Sequence, residues 1–520
     1  MSETPLLLLS TPAELQAWRE AQRRRGTPVH FVPTMGALHQ GHQQLIRRAA
    51  EPRGAGQPTV LVSVYVNPLQ FGPNEDLARY PRQLELDRQL AAQAGAAALW
   101  APMTDDIYPA GQAEVTRLAP PASLIAGLCG ASRPGHFEGV ATVVVRLLAL
   151  VRPERLLLGE KDWQQLVVLR RVVSDLGLPP TIEGCATVRQ ADGLALSSRN
   201  SYLNGAELQQ AAALPRALRA AQAAATKSRD SAALVALVRR QLEAADLQID
   251  YVTLVAAHTL RPLPQLGPLA LLAAAVHCGP ARLIDHTFLM TRAPIVAIDG
   301  PAGAGKSTVT RAFARRMGLI YLDTGAMYRA LTWWVQHRGV DPADGGAVAP
   351  LLQGLDLQLE ADQTVRINGH DVTTAIRSPE VTAQVSTVAA HACVREALTA
   401  QQQAMGQRGG LVAEGRDIGT AVFPDAELKV FLTATVAERA RRRAQDLRQR
   451  GFAVPELAEL ETQIAERDHS DSTRAVAPLQ QAADAVELVT DGMAIDGVIQ
   501  ALVDLFRSRV PEDAWPQAQP

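Results

Sequence analysis

The sequence predicts an α/β protein that consists of two unrelated modules joined near residue 290. In the first module, β-rich runs such as 28–33 and 155–158 alternate with segments of helical spacing. This pattern is typical of a parallel sheet with helices on both faces. It restarts at 295–299, where an apolar strand leads directly into a glycine-rich turn and a helix. No repeat relates the two halves, so we expect two separate folds.

The remaining elements of the first module agree with this fold class. Residues 205–245 are rich in Ala, Gln and Leu, lack aromatic residues and predict two helices. Strand candidates at 249–256 and 270–277 flank them, so we expect a small packed subdomain rather than a helical spacer. Before this subdomain, the pattern predicts strands at 59–66 and 96–102 and helices at 42–50, 84–95, 142–151 and 164–176.

Composition and charge narrow the class of protein. The chain has 520 residues, 47% hydrophobic and 20% charged, which is typical of soluble proteins rather than disordered, collagen-like or disulfide-framework chains. A net charge of −2 gives no basic field for nucleic acid or a membrane surface. The four cysteines lack metal-ligand spacing, which predicts reduced thiols in a cytoplasmic protein. The longest apolar stretches, 139–151 and 266–279, are shorter than the roughly 20 residues a bilayer needs, so neither a membrane span nor a targeting segment is expected.

The second module begins with a phosphate-binding sequence. Residues 300–307, GPAGAGKS, fit the pattern G-x-x-x-x-G-K-[ST] directly after an apolar strand. Glycines let backbone N–H groups turn toward phosphate oxygens, Lys306 can reach the β- and γ-phosphates, and Ser307 can ligate Mg²⁺. A purely structural glycine-rich turn is the alternative. Lysine usage favours the phosphate site, because only four of 51 basic residues are lysines and two of them, Lys161 and Lys306, lie in phosphate-type motifs.

Arginine-rich motifs later in the second module indicate a second anionic substrate. They occupy 323–329, 414–419 and 466–474, and a further group, 439–443, lies on the helix after the strand at 430–433. Guanidinium groups beside a bound nucleotide would neutralise two phosphates held in line, which is what phosphoryl transfer requires. For the arginine-rich helix alone, a solvated face or a nucleic-acid patch is the alternative interpretation.

Three loops of the first module predict another ATP site. The motif H-x-G-H at 39–42 lies at a strand-to-helix turn, where its two histidines can donate to phosphate oxygens. Lys161 follows the strand at 155–158, and the Ser-Ser-Arg run at 197–199 follows a turn. Taken singly, each fragment would be explained by a loop ion pair. Together they suit attack on the α-phosphate of ATP with pyrophosphate as the leaving group.

Amide side chains near these loops predict where an acceptor substrate binds. Asn67 and Gln70 flank Pro68 after a strand, and Gln165 follows the lysine loop. Amides hold hydroxyl and carboxylate groups without adding charge, and Phe71 could hold a branched apolar group. Turn chemistry before the proline is the alternative for Asn67 and Gln70.

Residues 6–285 resemble pantothenate synthetases, which are pantoate–β-alanine ligases. The matching sequences are VPTMGALHQGH, VSVYVNPLQFG, EDLARYPR, SRPGHFEGVATVV, LGEKDWQQL and VRQADGLALSSRNSYL. The resemblance implies a Rossmann-like nucleotidylyltransferase domain at 1–185 and a smaller α+β subdomain at 186–288. It implies ATP contacts at Met35, Gly36, Ala37, Leu38, His39, Gln40, Gly41, His42, Gly159, Glu160, Lys161, Asp162, Val188, Leu196, Ser197, Ser198 and Arg199.

The same resemblance implies a reaction in two steps. Pantoate and ATP would give pantoyl adenylate and pyrophosphate, and β-alanine would then displace AMP to give pantothenate. Gln70 would contact both acceptors and Gln165 would contact pantoate. Many members have Met where Leu196 stands and Tyr where Trp163 stands, and both changes keep an apolar or aromatic body. The expected catalytic residues are His39, His42, which we interpret as a phosphate-stabilising donor, Lys161, Ser197, Ser198 and Arg199.

Residues 294–508 closely resemble bacterial cytidylate kinases, through IDGPAGAGKST, LDTGAMYR, VREAL, AEGRDIGT, VFPDAELKVFL, ERARRR and the run from ERD to RAVAPL. The resemblance implies a P-loop nucleoside monophosphate (NMP) kinase α/β domain at 292–510, with catalytic Lys306, that phosphorylates CMP and dCMP. Thr324 stands where the family often has Ser, and the hydroxyl is kept. The implied ATP contacts are Gly300, Gly303, Ala304, Gly305, Lys306, Ser307, Thr308 and, on a mobile lid, Arg439 and Arg442. The implied CMP contacts are Thr324, Arg329, Ser386, Arg395, Arg416, Asp417, Arg467, Asp471 and Arg474.

These observations predict a bifunctional enzyme that uses Mg²⁺ with ATP and has no organic prosthetic group. Its expected partners are small-molecule substrates (ATP, pantoate, β-alanine, CMP and dCMP) and a second copy of the chain, in a dimer through the first module. Neither nucleic acid nor membrane is expected. A nucleotidyltransferase that stops after nucleotide transfer, or a nucleotide-binding scaffold without kinase turnover, are the alternatives. Residues 511–520 are polar and proline-rich and predict a flexible tail.

Overall fold

A computed structural model describes residues 6–52, 56–73, 75–360, 364–449, 451, 453–474 and 476–516. The chain forms two units: residues up to Thr291 together with Pro511–Pro516, and Arg292–Val510. Within the described residues, no helix combines the length and the apolar character that crossing a membrane requires.

The large sheet of the first unit consists of β1 (Leu7–Leu9), β2 (Val29–Thr34), β3 (Thr59–Val64), β4 (Ala98–Trp100), β5 (Arg155–Gly159) and β6 (Thr181–Cys185). All pairs are parallel, in the order β1-β4-β3-β2-β5-β6. Phe31 of β2 lies opposite Leu61 of β3 and Leu156 of β5, and all three side chains are fully buried. Continuous apolar strands are what a sheet covered on both faces requires.

The helices of this part are α1 (Pro12–Arg25), α2 (Gln40–Ala50), α3 (Leu84–Gln93), α4 (Thr104–Ile107), α5 (Ala122–Ile125), α6 (Cys129–Ser132), α7 (His136–Val151) and α8 (Trp163–Asp175). Helix α7 begins at His136, earlier than the predicted residue 142. Gly139 is a weak helix former, but a Cβ there would lie 2.0 Å from the carbonyl oxygen of Leu69. The glycine therefore lets the loop around Pro68 pack directly on α7.

The smaller part of the first unit contains α9 (Gly205–Ala211), α10 (Ala213–Ala224) and α11 (Ser231–Glu243), with an antiparallel sheet β7 (Gln248–Ala256), β8 (Leu269–Cys278) and β9 (Ala281–Met290). The prediction of two helices is wrong because three form. Pro215 has no N–H to donate to the carbonyl of Ala211, so the helix breaks at Ala212. Strand β9 was not predicted, since buried polar residues such as Asp285 and His286 interrupt its apolar pattern.

The last described residues, Pro511–Pro516, belong to the first unit. The backbone N–H groups of Glu512 and Asp513 each donate to the carboxylate of Glu160, at 2.8 Å. The prediction of a flexible tail from residue 511 is therefore wrong for this segment, because a buried carboxylate holds its backbone. Residues 517–520 lie outside the described residues.

The strands of the second unit are β10 (Ile295–Asp299), β11 (Ile320–Asp323), β12 (Leu357–Leu359), β13 (Val365–Ile367), β14 (His370–Asp371), β15 (Leu411–Gly415), β16 (Leu428–Thr433) and β17 (Val486–Val489). The main sheet is parallel in the order β11-β15-β10-β16-β17, and β12-β13-β14 form a small antiparallel sheet. Ala297 of β10 pairs with Ala413 of β15 and with Lys429 of β16. Strand β10 is thus central, and the loop that follows it opens at the carboxyl edge of the sheet.

The helices of the second unit are α12 (Lys306–Met317), α13 (Thr324–His337), α14 (Gly345–Val348), α15 (Pro379–Ala390), α16 (Ala392–Met405), α17 (Val436–Gln449), α18 (Leu457–Thr473) and α19 (Ile495–Arg509). A π-helical turn covers Ile418–Val422. Helices α17 and α18 pack through Ala440, Ala444 and Leu460. They carry most of the predicted arginine clusters.

Candidate active sites

A cavity of about 310 Å³ lies where β2 and β5 end in the first unit. The carboxyl edge of a parallel sheet is the usual position for a ligand in such folds. Residues of the smaller sheet, Asp285 and His286, close one side. The predicted residues that line it are Met35, His39, Gly41, His42, Gly159, Lys161, Asp162, Val188, Leu196, Ser197, Ser198 and Arg199, with Gln70 and Gln165.

The two histidines of the H-x-G-H motif form a hydrogen-bonded turn. Nδ1 of His39 accepts the N–H of Gly41 at 3.1 Å, and Nδ1 of His42 accepts the N–H of His39 at 3.3 Å. Burial lowers the pKa of His39 to about 4, with a smaller effect from Lys161, and burial lowers the pKa of His42 to about 3. Both rings are therefore neutral at pH 7, and each carries its proton on Nε2, where it can donate to an anionic ligand.

Fixed charges surround these rings. Nζ of Lys161 lies 3.6 Å from a carboxylate oxygen of Asp162. Burial opposes the charge of Asp162, yet Lys161 and Arg199 hold the pKa of this carboxyl below its ordinary value. Arg199 is oriented by two hydrogen bonds to Asp76, at 2.9 and 3.0 Å. The cavity thus presents a lysine, an arginine and two neutral imidazoles, a set of donors suited to a polyphosphate.

A second cavity, of about 680 Å³, follows β10 in the second unit. Gly303 and Gly305 have φ values of 77° and 87°, which L side chains rarely adopt, and α12 begins at Lys306. Nζ of Lys306 donates to the carbonyl oxygens of Gly300 and Pro301, at 2.7 and 2.9 Å. These contacts fold the lysine back over a loop whose glycines allow the conformation of a phosphate cradle.

The arginines of this cavity are held by carboxylates. Arg395 pairs with Asp417 at 2.5 Å, and Arg474 lies 3.6 Å from the same carboxylate. Arg416 pairs with Asp471 at 3.0 Å. All nine residues predicted to contact CMP line this cavity, namely Thr324, Arg329, Ser386, Arg395, Arg416, Asp417, Arg467, Asp471 and Arg474.

The electrostatics of this cavity favour an anion. Burial, followed by the repulsion from Arg416, lowers the pKa of the Arg467 guanidinium. Burial and the neighbouring Arg395 do the same for Arg474. Partly buried cations that repel each other gain stability when a phosphate binds between them.

Glu414 stands beside the P-loop and was not among the predicted site residues. Its Oε1 accepts the hydroxyls of Ser307 at 2.5 Å and of Tyr321 at 2.8 Å. Its Oε2 is buried and has no hydrogen-bond partner among the described residues. Burial, and then the charge of Asp323, raise the pKa of this carboxyl above its ordinary value. An unsatisfied carboxylate oxygen beside a serine hydroxyl fits the oxygen ligands that Mg²⁺ prefers. Within the described part of the chain, no group of three or more His, Cys, Asp or Glu residues could hold a metal by itself.

Comparisons with known proteins match the two units separately. The family model "Pantoate-beta-alanine ligase" matches residues 7–288, and the model "Cytidylate kinase" matches residues 296–508. A "Bifunctional pantoate ligase/cytidylate kinase" from Parasynechococcus marenigrum (strain WH8102) is 65% identical over 98% of this chain and 99% of its own. One from Prochlorococcus marinus (strain MIT 9313) is 64% identical over 97% of this chain and 100% of its own.

The chain belongs to the bifunctional pantoate ligase/cytidylate kinase family. Its first unit is called the ligase half below and its second unit the kinase half. The crystal structure of pantothenate synthetase from Thermus thermophilus is 46% identical, with a TM-score of 0.50, and covers 54% of this chain and 98% of that chain. Two predicted features, the α/β fold class with its two modules and the assignment of both enzyme families, are thereby confirmed.

Several residues predicted for the ligase cavity lie elsewhere. Asn67 is 1% exposed, and its amide donates to Gly139 O at 3.2 Å and accepts the hydroxyl of Tyr108 at 2.9 Å. It also caps the N–H of Leu69. The prediction that Asn67 binds substrate is contradicted by this internal network, whereas Gln70 lines the cavity.

Other predicted residues shape the cavity from behind. The N–H groups of Ala37 and Leu38 donate to the buried carboxylate of Asp87, at 3.1 and 2.7 Å, which fixes the turn before His39. Glu160 points away from the cavity to the backbone of residues 512–513. The predicted ATP contacts that do not line the ligase cavity are Gly36, Ala37, Leu38, Gln40 and Glu160.

Arg439 and Gly300 in the kinase half likewise support the site rather than line it. Arg439 is buried and bonded to Asp468 at 2.6 and 3.0 Å and to Ala302 O at 3.2 Å. The prediction of a mobile lid arginine is contradicted here, because the guanidinium is committed to a buried ion pair. A Cβ on Gly300 would lie 2.0 Å from the carbonyl of Leu432, which explains the glycine. Arg442 does line the cavity and donates to Ala304 O at 3.2 Å.

The ligase cavity also contains side chains that sequence reasoning missed. Arg133 and His136 both bond the carbonyl oxygen of Gln70, at 3.1 and 2.8 Å. Both lie in the conspicuous run SRPGHFEG, which was the available signal. His286 lines the same cavity, and its Nε2 has no hydrogen-bond partner among the described residues. It lies on β9, and an unpredicted strand gave no reason to select it.

Proposed function

We propose that the ligase half condenses pantoate with β-alanine through pantoyl adenylate. One observation carries this: Lys161 and Arg199 face the two neutral histidines of the turn at 39–42 within a single cavity. Such an arrangement stabilises charge that develops on the α- to γ-phosphates without requiring a proton transfer from the enzyme.

The first step joins a carboxylate to phosphorus. A carboxylate oxygen of pantoate attacks the α-phosphorus of ATP, the bond to the bridging oxygen breaks, and pyrophosphate leaves. Nε2–H of His42 and of His39 donate to phosphate oxygens, and Lys161 and Arg199 balance the charge of the leaving group. Gln70 and Gln165, on the cavity wall, orient the acceptor.

The second step transfers the activated acyl group. The amine of β-alanine attacks the acyl carbon, the bond to AMP breaks, and the amine nitrogen loses a proton. Holding the adenylate and the amine together contributes on the order of 7–11 kcal/mol to such a step. Enclosure also protects the mixed anhydride from water.

We propose that the kinase half transfers the γ-phosphoryl group of ATP to CMP or dCMP. The convergence of Arg395, Arg416 and Arg474 opposite the P-loop supports this assignment. The acceptor phosphate lies among these arginines, and Lys306 leaves its contacts with the loop carbonyls to meet the ATP phosphates. Ser307 and Glu414 would hold Mg²⁺, which when bound neutralises β- and γ-phosphate oxygens.

Product analysis of the purified chain tests both assignments. With ATP and pantoate, AMP formation that depends on β-alanine supports the ligase, and a stable nucleotidyl product would instead indicate a nucleotidyltransferase. With Mg-ATP and CMP, CDP formation supports the kinase, and its absence would indicate a nucleotide-binding scaffold. Dimerisation through the ligase half stays a prediction, which sedimentation of the full chain measures.

A further inference from the structure

Residues Pro511–Pro516, here called the C-terminal strap, belong to the ligase half although they follow α19 of the kinase half in sequence. The strap reaches two segments of the proposed ATP site that are far away along the chain. One is Glu160, next to Lys161, and the other is the segment 186–188, which follows β6. A role beyond surface packing follows from what these contacts hold.

The first contact fixes the lysine loop. Both carboxylate oxygens of Glu160 accept strap N–H groups, those of Glu512 and Asp513, at 2.8 Å each. Glu160 is 1% exposed. Because Lys161 is the next residue, the direction of its side chain depends on the backbone that Glu160 anchors.

The second contact fixes the cavity wall. Asp513 accepts the N–H of Thr187 at 3.0 Å and the hydroxyl of the same residue at 2.6 Å. Glu512 accepts the N–H of Ala186 at 3.3 Å. Ala186, Thr187 and Val188 all line the ligase cavity. Without the strap, two backbone N–H groups at the wall would lose their acceptors, and buried donors rarely remain unsatisfied.

These segments connect directly to the serine-arginine loop. The carbonyl oxygen of Val188 accepts the N–H of Leu196 at 2.9 Å, and Arg189 bridges to Ala195. Displacement of residues 186–188 would therefore move the loop that carries Ser197 and Arg199. The strap thus supports the cavity wall through a continuous chain of backbone hydrogen bonds.

The strap carboxylates are also matched by charge. Glu512 lies 3.9 Å from the guanidinium of Arg48 on α2. The charge of Asp513 acts to raise the pKa of Arg189 and, against the larger effect of burial, that of His286. Two acidic residues beside these cationic or protonatable groups specify one seat for the strap.

We propose that the strap is a positioning element of the ligase ATP site, in which Glu512 and Asp513 hold Glu160 and residues 186–188 in the arrangement that receives the nucleotide. This inference rests on the ATP site proposed above. It makes the ligase half dependent on the far end of the polypeptide. It also predicts that loss of the strap weakens ATP binding and leaves acceptor binding and the kinase reaction unaffected.

Steady-state kinetics of the full chain and of four variants test the inference. One variant stops after Val510, and its matched control stops after Pro516 and keeps the strap. The others are Asp513→Ala and Asp513→Asn, of which the asparagine retains an acceptor for the N–H of Thr187. The measurements are the ligase KM for ATP, the ligase KM for pantoate, and the CMP kinase rate of the same sample.

We expect the chain ending at Val510 and Asp513→Ala to raise the ligase KM for ATP by about tenfold, as loss of hydrogen bonds to a charged acceptor implies. The KM for pantoate and the kinase rate should stay within about twofold, and the control and Asp513→Asn should stay within about threefold of the full chain. An unchanged KM for ATP in both strap variants, or a loss confined to kcat, would overturn the inference.

Two further readouts keep these outcomes separable. If the chain ending at Val510 does not fold, Asp513→Ala decides the question alone. Lys161→Ala tests the proposed site itself, and a normal ligase rate in that variant would refute the site. A strong defect in Lys161→Ala with no effect of Asp513→Ala refutes the strap alone.

Discussion

The imidazole rings of His39 and His42 lie 4.2 Å apart, and the N–H of His39 donates to Nδ1 of His42. This contact leaves Nε2 of His42 as the protonated nitrogen of a neutral ring. A neutral donor can stabilise a phosphate at any pH at which it stays neutral. The pair therefore serves a reaction in which negative charge moves but no proton needs to come from a histidine.

The first prediction concerns pH. Because burial lowers the pKa of His39 to about 4 and of His42 to about 3, neither ring changes charge between pH 5 and 8. We expect the ligase kcat/KM for ATP to show no histidine ionisation in that range. His42→Ala should lower it by about 100-fold, and His42→Gln, which keeps an N–H donor, by less. An ionisation near pH 6.5 that disappears in His42→Gln would contradict this role.

The same pKa shifts give a second prediction, for stability. In the unfolded chain these histidines bind protons near pH 6.5, whereas in the folded chain they remain neutral down to about pH 4 and 3. The unfolded state then binds more protons, so the free energy of unfolding falls as the pH drops below about 6.5. Denaturant titrations between pH 7 and 4.5 should show a smaller decrease for a His39→Gln, His42→Gln double variant. An equal decrease would show that the folded rings titrate normally.

Separate phosphate sites give a third prediction. Lys306→Ala should abolish CMP phosphorylation and leave pantothenate formation within about twofold, and Lys161→Ala should do the reverse. Both rates are measured on one preparation, so each activity reports on the folding of its own half. Loss of both activities in either folded variant would show that the two sites are coupled.

Much of the kinase cavity could be predicted because its signal is local. The glycines, Lys306 and Ser307 stand within one turn, and backbone geometry and charge dictate that spacing. Which way an arginine of α17 faces is a different matter. Arg439 and Arg442 are three residues apart on one helix face, yet Asp468 of α18 holds only Arg439, and the sequence does not disclose that packing.

The ligase cavity shows the corresponding limit. Its motifs follow strands, so their convergence at the carboxyl edge of the sheet could be anticipated. The carboxylate of Asp87 is 49 residues from the N–H of Leu38 that it accepts, and Glu160 bonds a backbone 353 residues away at Asp513. Such partners carry no pattern of their own, because a lone acidic residue on a helix or in a polar tail has many ordinary explanations.

Asn67 and Gln70 provide a fourth prediction. Asn67→Ala removes the buried bonds to Gly139 and Tyr108, which should cost about 1–3 kcal/mol of unfolding free energy and leave the KM for pantoate within about twofold. Gln70→Ala should raise the KM for pantoate by about tenfold with little loss of stability. Thermal unfolding and ligase kinetics of the two variants provide the comparison. A raised KM in Asn67→Ala without destabilisation would restore Asn67 to the substrate site.

The last prediction tests the metal. Glu414→Gln keeps an acceptor at Oε1 but removes the charge at the partnerless Oε2, so the kinase should need about tenfold more Mg²⁺ for half-maximal CMP phosphorylation. Tyr321→Phe, which deletes only one donor to Oε1, serves as the matched control and should change this requirement by less than about threefold. The ligase rate of both variants should stay normal. Since a charge beside a bound cation acts on metal affinity before it acts on folding, an unchanged Mg²⁺ requirement in a folded Glu414→Gln variant would place the metal away from this carboxylate.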